Sequence, residues 1–271
     1  MTQDAPVSRW AQSRFGDRAH QVQQAVVDAL VGALDDAQNA QQVSKSGTRH
    51  TFGATVMARK HERLAAELGD MDGARLVRTA GSPFPLVLVN GCLLFPFRYA
   101  QDAKVPIRDA RVTDRRVSGR VRAIFTRLAP RPAYEQGLLF PEDSEQESEI
   151  ADLGPAFDEL PQDTKLVLIA FAGNDQAGLI SIWWGEADLL DEYGRLRWTS
   201  PAEQLRLPAE AQVRPVLNPT SAETAARFDS GDIPPLTTEV RPPAEHDARQ
   251  DVAPDDEGAP GDPGTATDEQ Q

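Results

Sequence analysis

Apolar residues recur at helical spacing in two segments of the N-terminal third of the chain. From Asp17 to Ala37 they fall on one stripe with Gln and Asp residues opposite, which predicts an amphipathic helix. The segment from Asn39 to His50 is rich in Gln and Ser and indicates an exposed loop. A second helical pattern runs from Ala54 to Leu68 and stops at Gly69, a residue type that commonly follows the last helical turn. The sequence therefore predicts two helices before the first strand.

The pattern then changes to short apolar runs that predict strands. A short strand is expected from Arg75 to Thr79, and two apolar runs, which begin at Leu86 and Cys92, flank Asn90-Gly91. Asn-Gly between apolar runs predicts a hairpin with a type I′ turn, because both central residues of that turn take positive φ. Successive positions of both runs are apolar, so the hairpin should lie in the middle of the fold. Pro96 has no N–H to donate, so regular pairing should end or bulge there.

A basic amphipathic helix and further strands complete the predicted core. Thr113 or Asp114 would cap the helix, whose apolar positions follow at helical spacing. Apolar runs from Lys165 to Ala172 and from Ala177 to Trp184 predict central strands, and a second hairpin is expected to turn at Asp191 to Gly194. This order of N-terminal helices, central hairpin sheet, basic helix and further antiparallel strands indicates a mixed α/β domain of the α+β class.

Composition divides the chain into regions. Residues 1–50 are predicted to form an N-terminal helical region, and residues 51–207 an α/β core that a short helix or turn at Pro201 to Leu207 would close. Residues 129–152, rich in prolines and acids, predict a mobile insertion. Residues 208–271 hold ten prolines, fourteen acids and four arginines, a net charge of −10, whereas the rest of the chain carries −4. So polar a segment cannot offset its ordering entropy, which predicts a disordered acidic tail.

Several features favour a cytoplasmic protein. The single cysteine, Cys92, lies in an apolar run, so no intramolecular disulfide forms and a reducing compartment is the simplest setting. The first residues, from Met1 to Pro6, hold neither the positive charge nor the apolar core of a signal peptide. No apolar run reaches the ~18–20 residues that a membrane span needs. We therefore expect a cytoplasmic protein with no membrane partner.

Signatures of the common enzyme classes are absent from the sequence. It has no Gly-rich phosphate loop, no nucleophile elbow and no pair of Cys-x-x-Cys ligands. His61-Glu62 begins like a zinc-protease helix, but Ala65 stands where the second histidine is needed. We therefore predict no catalytic residue, no metal ligand and no cofactor, and favour a protein without enzymatic activity.

The predicted order of elements between Ala54 and Ala172 is helix, strand, hairpin, helix and strand. This order resembles the core of the PD-(D/E)XK nuclease superfamily. The resemblance implies a metal site made of an acid and an acid-x-Lys motif on the hairpin strands. Here Leu86 to Phe97 holds neither an acid nor a lysine. A nuclease-like domain would therefore be inactive, or its site would have moved to Glu62, Asp70 or Asp72.

A basic segment stands out in this acidic protein. Between Lys104 and Arg131 there are nine basic residues and two acids, a local charge of +7. Such a patch can neutralise DNA phosphates, and we predict that it does so through Arg115, Arg116, Arg120, Arg122 and Arg127. The alternative is a solvated helix face that pairs with acids elsewhere, including the tail folded back over it.

A short peptide in the predicted insertion offers a second binding hypothesis. Gln136, Leu139 and Phe140 resemble the bacterial sliding-clamp binding motif, in which a Gln is followed by a Leu-Phe pair at the fourth and fifth positions. Gly137 replaces the usual Leu at the second position. The resemblance implies docking on a DNA sliding clamp, and an apolar cluster in a polar loop suits partner binding. The alternative is that these side chains anchor the loop on the domain itself.

The leading hypothesis is a non-enzymatic binding or accessory protein in DNA metabolism, with DNA and a sliding clamp as partners. It rests on the proximity of the basic helix and the clamp-like peptide in the sequence. A divergent or inactive nuclease-like domain is one alternative. A protein-protein adaptor is the other.

Overall fold

The computed structural model of the protein describes residues 7–134 and 153–208. Within these ranges the helices are α1 (Arg9–Phe15), α2 (Ala19–Ser44), α3 (His50–Leu68), α4 (Gly119–Leu128) and α5 (Pro155–Asp158). The strands are β1 (Ala74–Val77), β2 (Leu86–Val89), β3 (Cys92–Ala100), β4 (Lys165–Asn174), β5 (Gly178–Gly185), β6 (Ala187–Leu189), β7 (Leu196–Trp198) and β8 (Glu203–Leu205).

One mixed sheet organises these elements. It contains six strands in the order β1-β2-β3-β4-β5-β8, while β6 and β7 form a separate two-stranded sheet. Every neighbouring pair of the large sheet is antiparallel except β3 and β4, which lie parallel. Parallel neighbours need a crossover connection, and here that connection carries α4. The predicted α+β class is confirmed.

The hairpin between β2 and β3 has the predicted geometry. Asn90 and Gly91 have φ angles of 48° and 72°, positive at both positions as a type I′ turn requires. β3 pairs with β2 only as far as Leu94, whereas its pairing with β4 continues through Pro96. The interruption expected at Pro96 therefore affects one edge of β3.

The central strands are buried on both faces, as the hairpin pattern predicted. Alternate residues of β3 and β4 enter two apolar clusters, Leu94 and Val167 on one face and Leu93 and Leu168 on the other. The first cluster includes residues of α1, α2 and α3. The second includes residues of α4, α5 and the small sheet. The large sheet thus separates two cores and contributes to each.

Helix α2 is longer than the apolar pattern predicted. It runs to Ser44, so the loop predicted from Asn39 to His50 is wrong over its first half. The side-chain amide of Gln41 donates to the backbone carbonyls of Ser46 and Thr48, both at 2.9 Å. Because the Gln41 side chain holds the turn after the helix, its polarity does not mark the end of the helix.

Two other boundaries differ from the prediction. The cap expected at Thr113 or Asp114 is wrong, because α4 begins after Ser118, whose hydroxyl accepts the N–H of Val121 at 3.3 Å. The helix or turn expected at Pro201 to Leu207 is replaced by β8, which pairs with β5 at the sheet edge. In both cases a local signal was outweighed by tertiary pairing or by a better cap.

Two predicted regions lie largely outside the described residues. Only residues 129–134 of the insertion predicted at 129–152 are described, and only Pro208 of the tail predicted at 208–271. The described residues belong to one compact unit. In that part of the chain, no helix combines the length and apolar character needed to cross a bilayer.

Asp188 in β6 ties the small sheet to the segment after α4. Its buried carboxylate accepts the backbone N–H of Arg131 at 3.0 Å and the guanidinium of Arg197 at 2.9 Å. We expect Asp188→Ala to lower the free energy of unfolding by about 2 kcal/mol, because the buried carboxylate that joins a backbone N–H to a guanidinium is lost. Asp158→Ala removes an exposed pair with Arg127 and should cost at most about 1 kcal/mol. Urea denaturation compares the two variants, and equal losses would contradict the expectation.

Candidate anion-binding cleft

The candidate site lies along the part of β3 that extends beyond its pairing with β2. β3 has nine residues, but only Cys92 to Leu94 pair with β2. Beyond Leu94 this edge of β3 has no neighbouring strand in the described part of the chain. Helix α3 from one face of the sheet and α4 from the other both reach the open edge and enclose a cavity of about 510 Å³. We call this cavity the cleft, and its volume suits a small ligand or part of a larger one.

The lining of the cleft combines apolar walls with an excess of positive charge. Apolar side chains from both helices and from the strand region line it, among them Met57, Phe84, Phe95, Phe97, Val121 and Ile124. Five cationic side chains line it too: Lys60, Arg98, Arg115, Arg116 and Arg120. Asp114 is the one carboxylate on the lining among the described residues. The cleft is therefore electropositive in a protein whose net charge is −14.

Lys60 is the most buried of the five cations, with 8% of its surface exposed. It lies on the apolar stripe of α3, one turn from Val56 and one turn from Leu64. Burial, and secondarily the positive charge of Arg98, lower the pKa of Lys60 to about 8. No acidic side chain in the described ranges pairs with its ammonium group. A buried cation without a counterion is costly, so an anion in the cleft would gain strongly from this position.

Arg98 and Arg120 approach the cleft from β3 and from α4. The Arg98 guanidinium lies 5.8 Å from the ring centroid of Phe52, and its partial burial lowers its pKa. Arg120 packs over Gly81, where a β-carbon would lie 2.7 Å from Nη2. The Nε of Arg120 is buried and has no hydrogen-bond partner in the described part of the chain. Neither guanidinium forms an ion pair with a described carboxylate, so both retain N–H groups for a ligand.

His61 follows Lys60 but contributes no charge. Its ring stacks on Phe84 with centroids 5.6 Å apart and an interplanar angle of 5°. Burial, reinforced by the neighbouring Lys60, lowers the pKa of His61 to about 3, so the imidazole is neutral near pH 7. Its Nδ1 is buried without a hydrogen-bond partner among the described residues. His61 therefore shapes the wall of the cleft and leaves the attraction of anions to its neighbours.

The first turn of α4 faces the same cavity. Ser118, which caps the helix, lines the cleft together with Arg120 and Val121. The first N–H groups of a helix lack intrahelical acceptors and carry partial positive charge. This end of α4 therefore adds to the field of the five cations, and in the same direction.

The structure brings together three of the five predicted nucleic-acid-binding residues. Arg115, Arg116 and Arg120 all line the cleft. Arg116 also forms an ion pair with Glu192 at 2.8 Å. Arg115 is exposed, and its charge lies at the outer part of the lining.

The other two predicted residues lie elsewhere. Arg127 forms a 2.6 Å ion pair with Asp158 and stands over the ring of Phe157, 5.5 Å from its centroid. Arg122 is not part of the cleft lining. The alternative interpretation, a helix face that pairs with acids, fits Arg127 better than it fits Arg120. The clamp-like residues Gln136, Leu139 and Phe140 lie outside the described residues.

Lys60 and Arg98 are not among the five residues predicted to bind nucleic acid. Both sit inside apolar patterns, Lys60 on the stripe of α3 and Arg98 near the end of β3. A charged residue at a position that the pattern assigns to the core is itself a signal, because such burial is rare without a partner. The signal was present in the spacing of Val56, Lys60 and Leu64.

The acids to which a nuclease-like metal site would have moved lie apart from the cleft. Glu62 pairs with Arg59 at 2.6 Å, and Asp72 pairs with Arg18 at 2.5 Å. Asp70 is likewise absent from the lining. Across residues 7–134 and 153–208, no three His, Cys, Asp or Glu side chains are grouped to hold a metal ion.

Comparison of the chain with protein-family models, with curated proteins and with solved structures returns no match. The predicted order of helix, strand, hairpin, helix and strand is present as α3, three antiparallel strands, α4 and a parallel β4. Shared topology does not establish shared activity.

The buried Lys60 makes a prediction about stability. Its pKa is about 8 in the folded protein against an ordinary value of 10.5. The unfolded chain therefore binds more protons between these two values, and stability rises with pH across this window. Below pH 8 the full cost of the buried charge is present, roughly 3 kcal/mol. We expect Lys60→Met to raise the free energy of unfolding by roughly 2–3 kcal/mol at pH 7, and by progressively less toward pH 10.5.

Urea denaturation at several pH values measures this effect. Lys104→Met, which changes an exposed lysine, should leave the free energy of unfolding within about 0.5 kcal/mol of the parent protein. A loss of stability in Lys60→Met would contradict the prediction, because it would mean that the ammonium group holds the fold together.

Proposed function

We propose that the protein is a non-enzymatic binding protein that holds phosphate groups of DNA in the cleft. The observation that carries the proposal is the convergence of five cations on one cavity whose described lining holds a single carboxylate. Lys60, Arg98 and Arg120 have no acidic ion-pair partner among the described residues. Unpaired positive charge in a partly desolvated cavity favours an anionic ligand.

The types of side chain present suit phosphate in particular. A guanidinium can donate two parallel hydrogen bonds to two phosphate oxygens, whereas a lysine ammonium acts as a point charge. Arg98 and Arg120 offer the first kind of contact and Lys60 the second. The N-terminal end of α4 adds backbone N–H groups, a common feature of phosphate sites.

DNA is the favoured source of these phosphates. Exposed arginines, Arg115 and Arg116, continue the positive charge from the cleft to the surface, as a site that follows a polymer backbone requires. Phe84 and Phe95 offer aromatic rings on the lining, and unpaired bases stack on such rings. The clamp-like peptide at residues 136–140 supports the same context of DNA metabolism.

Replacement of two cleft arginines tests DNA binding. We expect Arg115→Ala combined with Arg120→Ala to weaken binding of a short single-stranded oligonucleotide by about tenfold or more at low salt. The slope of log affinity against log salt concentration should become shallower by roughly 1–2, because two phosphate contacts are lost. Fluorescence anisotropy of a labelled oligonucleotide at several salt concentrations gives both values.

Arg127→Ala is the matched control for this experiment. It removes a cation from the same helix, but one that is paired with Asp158 outside the cleft. Its affinity and salt slope should stay close to those of the parent protein. Equal effects of the double variant and of Arg127→Ala would assign the binding to general charge and reject the cleft as its site.

We further propose that the 136–140 peptide docks the protein on a DNA sliding clamp. The proposal rests on Gln136, Leu139 and Phe140, whose types and order resemble the clamp-binding motif. Loss of an aromatic anchor typically costs about 2 kcal/mol, so Phe140→Ala should weaken clamp binding by roughly 30-fold. Leu138→Ala, at a position that does not define the motif, should have a smaller effect. Surface plasmon resonance on an immobilised clamp measures both, and no binding by the parent protein would reject the proposal.

A further inference from the structure

The cations of the cleft form a gradient of burial. Lys60 is buried, Arg98 and Arg120 are half-buried, and Arg115 and Arg116 are exposed. A ligand that contacts only the exposed arginines leaves Lys60 without a counterion. The charge without a counterion, that of Lys60, is therefore at the least accessible position. A ligand that neutralises it carries an anionic group that enters the cavity.

An internal phosphodiester is poorly suited to this position. It carries a sugar on each side, so both substituents must enter with the phosphate or the phosphate stays at the rim. A terminal phosphate has one substituent and can enter first, while the remainder of the ligand stays toward the opening. The volume of about 510 Å³ accommodates such a group together with an attached sugar and base.

The charge of the site also matches a terminal phosphate. A phosphomonoester carries roughly −1.5 to −2 near pH 7, whereas an internal phosphodiester carries a single negative charge. The buried or half-buried cations Lys60, Arg98 and Arg120 match such a dianion better than a single charge. The exposed Asp114, Arg115 and Arg116 lie at the outer part of the lining. His61 adds none, because its imidazole is neutral at this pH.

We propose that the cleft recognises a terminal phosphate monoester, and that Lys60 at its buried end is the determinant of that recognition. The proposal rests on the proposed phosphate-binding function and specifies its ligand. The phosphate accepts hydrogen bonds from Lys60 and from the guanidiniums of Arg98 and Arg120, and the adjoining sugar and base lie along the apolar wall. The same chemistry is offered by the end of a DNA strand and by a free mononucleotide.

The pH dependence of binding follows from the groups that share the lining with Lys60. These are the guanidiniums of Arg98 and Arg120, the carboxylate of Asp114, the exposed Arg115 and Arg116, and His61, whose imidazole is neutral near pH 7. In the unliganded protein the pKa of Lys60 is about 8, and a bound dianion raises it. Affinity for a terminal phosphate should therefore fall as pH rises above about 8, by up to tenfold per pH unit, with proton uptake on binding.

The test compares four ligands on the full chain. They are one single-stranded oligonucleotide with a 5′-phosphate, the same oligonucleotide with a 5′-hydroxyl, thymidine monophosphate and inorganic phosphate. We expect the 5′-phosphorylated strand to bind at least about tenfold more tightly than the hydroxyl form, as one charge-assisted contact of about 1.4 kcal/mol or more implies. This preference should decrease above pH 8.

Lysine variants show whether the preference for the 5′-phosphate depends on Lys60. Lys60→Met should abolish the preference, so that the 5′-phosphorylated strand binds no more tightly than the 5′-hydroxyl strand. Lys60→Arg, which keeps the charge, should retain part of the preference. Lys104→Met should retain all of it. The sequence has four lysines, and the other three, Lys45, Lys104 and Lys165, are exposed, so Lys60 can be distinguished by substitution alone.

The outcomes separate this inference from the proposed function. Salt-sensitive binding of both strands with equal affinity would overturn the terminal-phosphate inference and leave DNA binding in place. Binding of thymidine monophosphate that depends on Lys60, without binding of either strand, would support the inference and reject DNA as the ligand. No binding of any of the four ligands would overturn both.

Discussion

The parallel pairing of β3 with β4 is the constraint on which the rest of the structure depends. The two strands pair from Cys92 with Lys165 to Ala100 with Ala172, and both are buried on two faces. Parallel neighbours cannot be joined by a tight turn, so the chain must leave the sheet after β3 and return before β4. The connection carries α4 across the face opposite α3. The two helices that line the cleft thus lie on opposite faces because of this one pairing.

The cleft places charge where the fold would be more stable without it. Lys60 occupies a position on α3 that Val56 and Leu64 occupy one turn to either side, and an apolar residue there would extend the core. Two extensive apolar clusters, one on each face of the sheet, supply the stability that offsets the cost of the buried ammonium group. Local departures from an otherwise consistent pattern are where function is expected, since binding sites often retain groups that weaken the fold.

Much of the fold could be predicted from the sequence, and less of the cleft. Strong local signals identified α2, α3 and the hairpin turn at Asn90-Gly91, because spacing and positive φ are properties of the residues themselves. The cleft arises from the difference in length between β2 and β3 and from the meeting of two helices at a sheet edge. Neither the difference in strand length nor the meeting of the helices can be seen in a single segment of the sequence. Arg115, Arg116 and Arg120 were identified by composition, whereas Lys60 was hidden by the apolar pattern around it.

Because the cleft opens at the edge of the sheet, its lining belongs to both cores at once. Val56 on α3 belongs to one apolar cluster, and Ile124 on α4 belongs to the other. The two clusters are joined through the strands that lie between them. A ligand that contacts both helices would bridge the two cores at the sheet edge. Local unfolding of either core would then cost part of the binding free energy. A bound ligand would then raise the melting temperature of the whole folded unit, including parts that lie far from the phosphate.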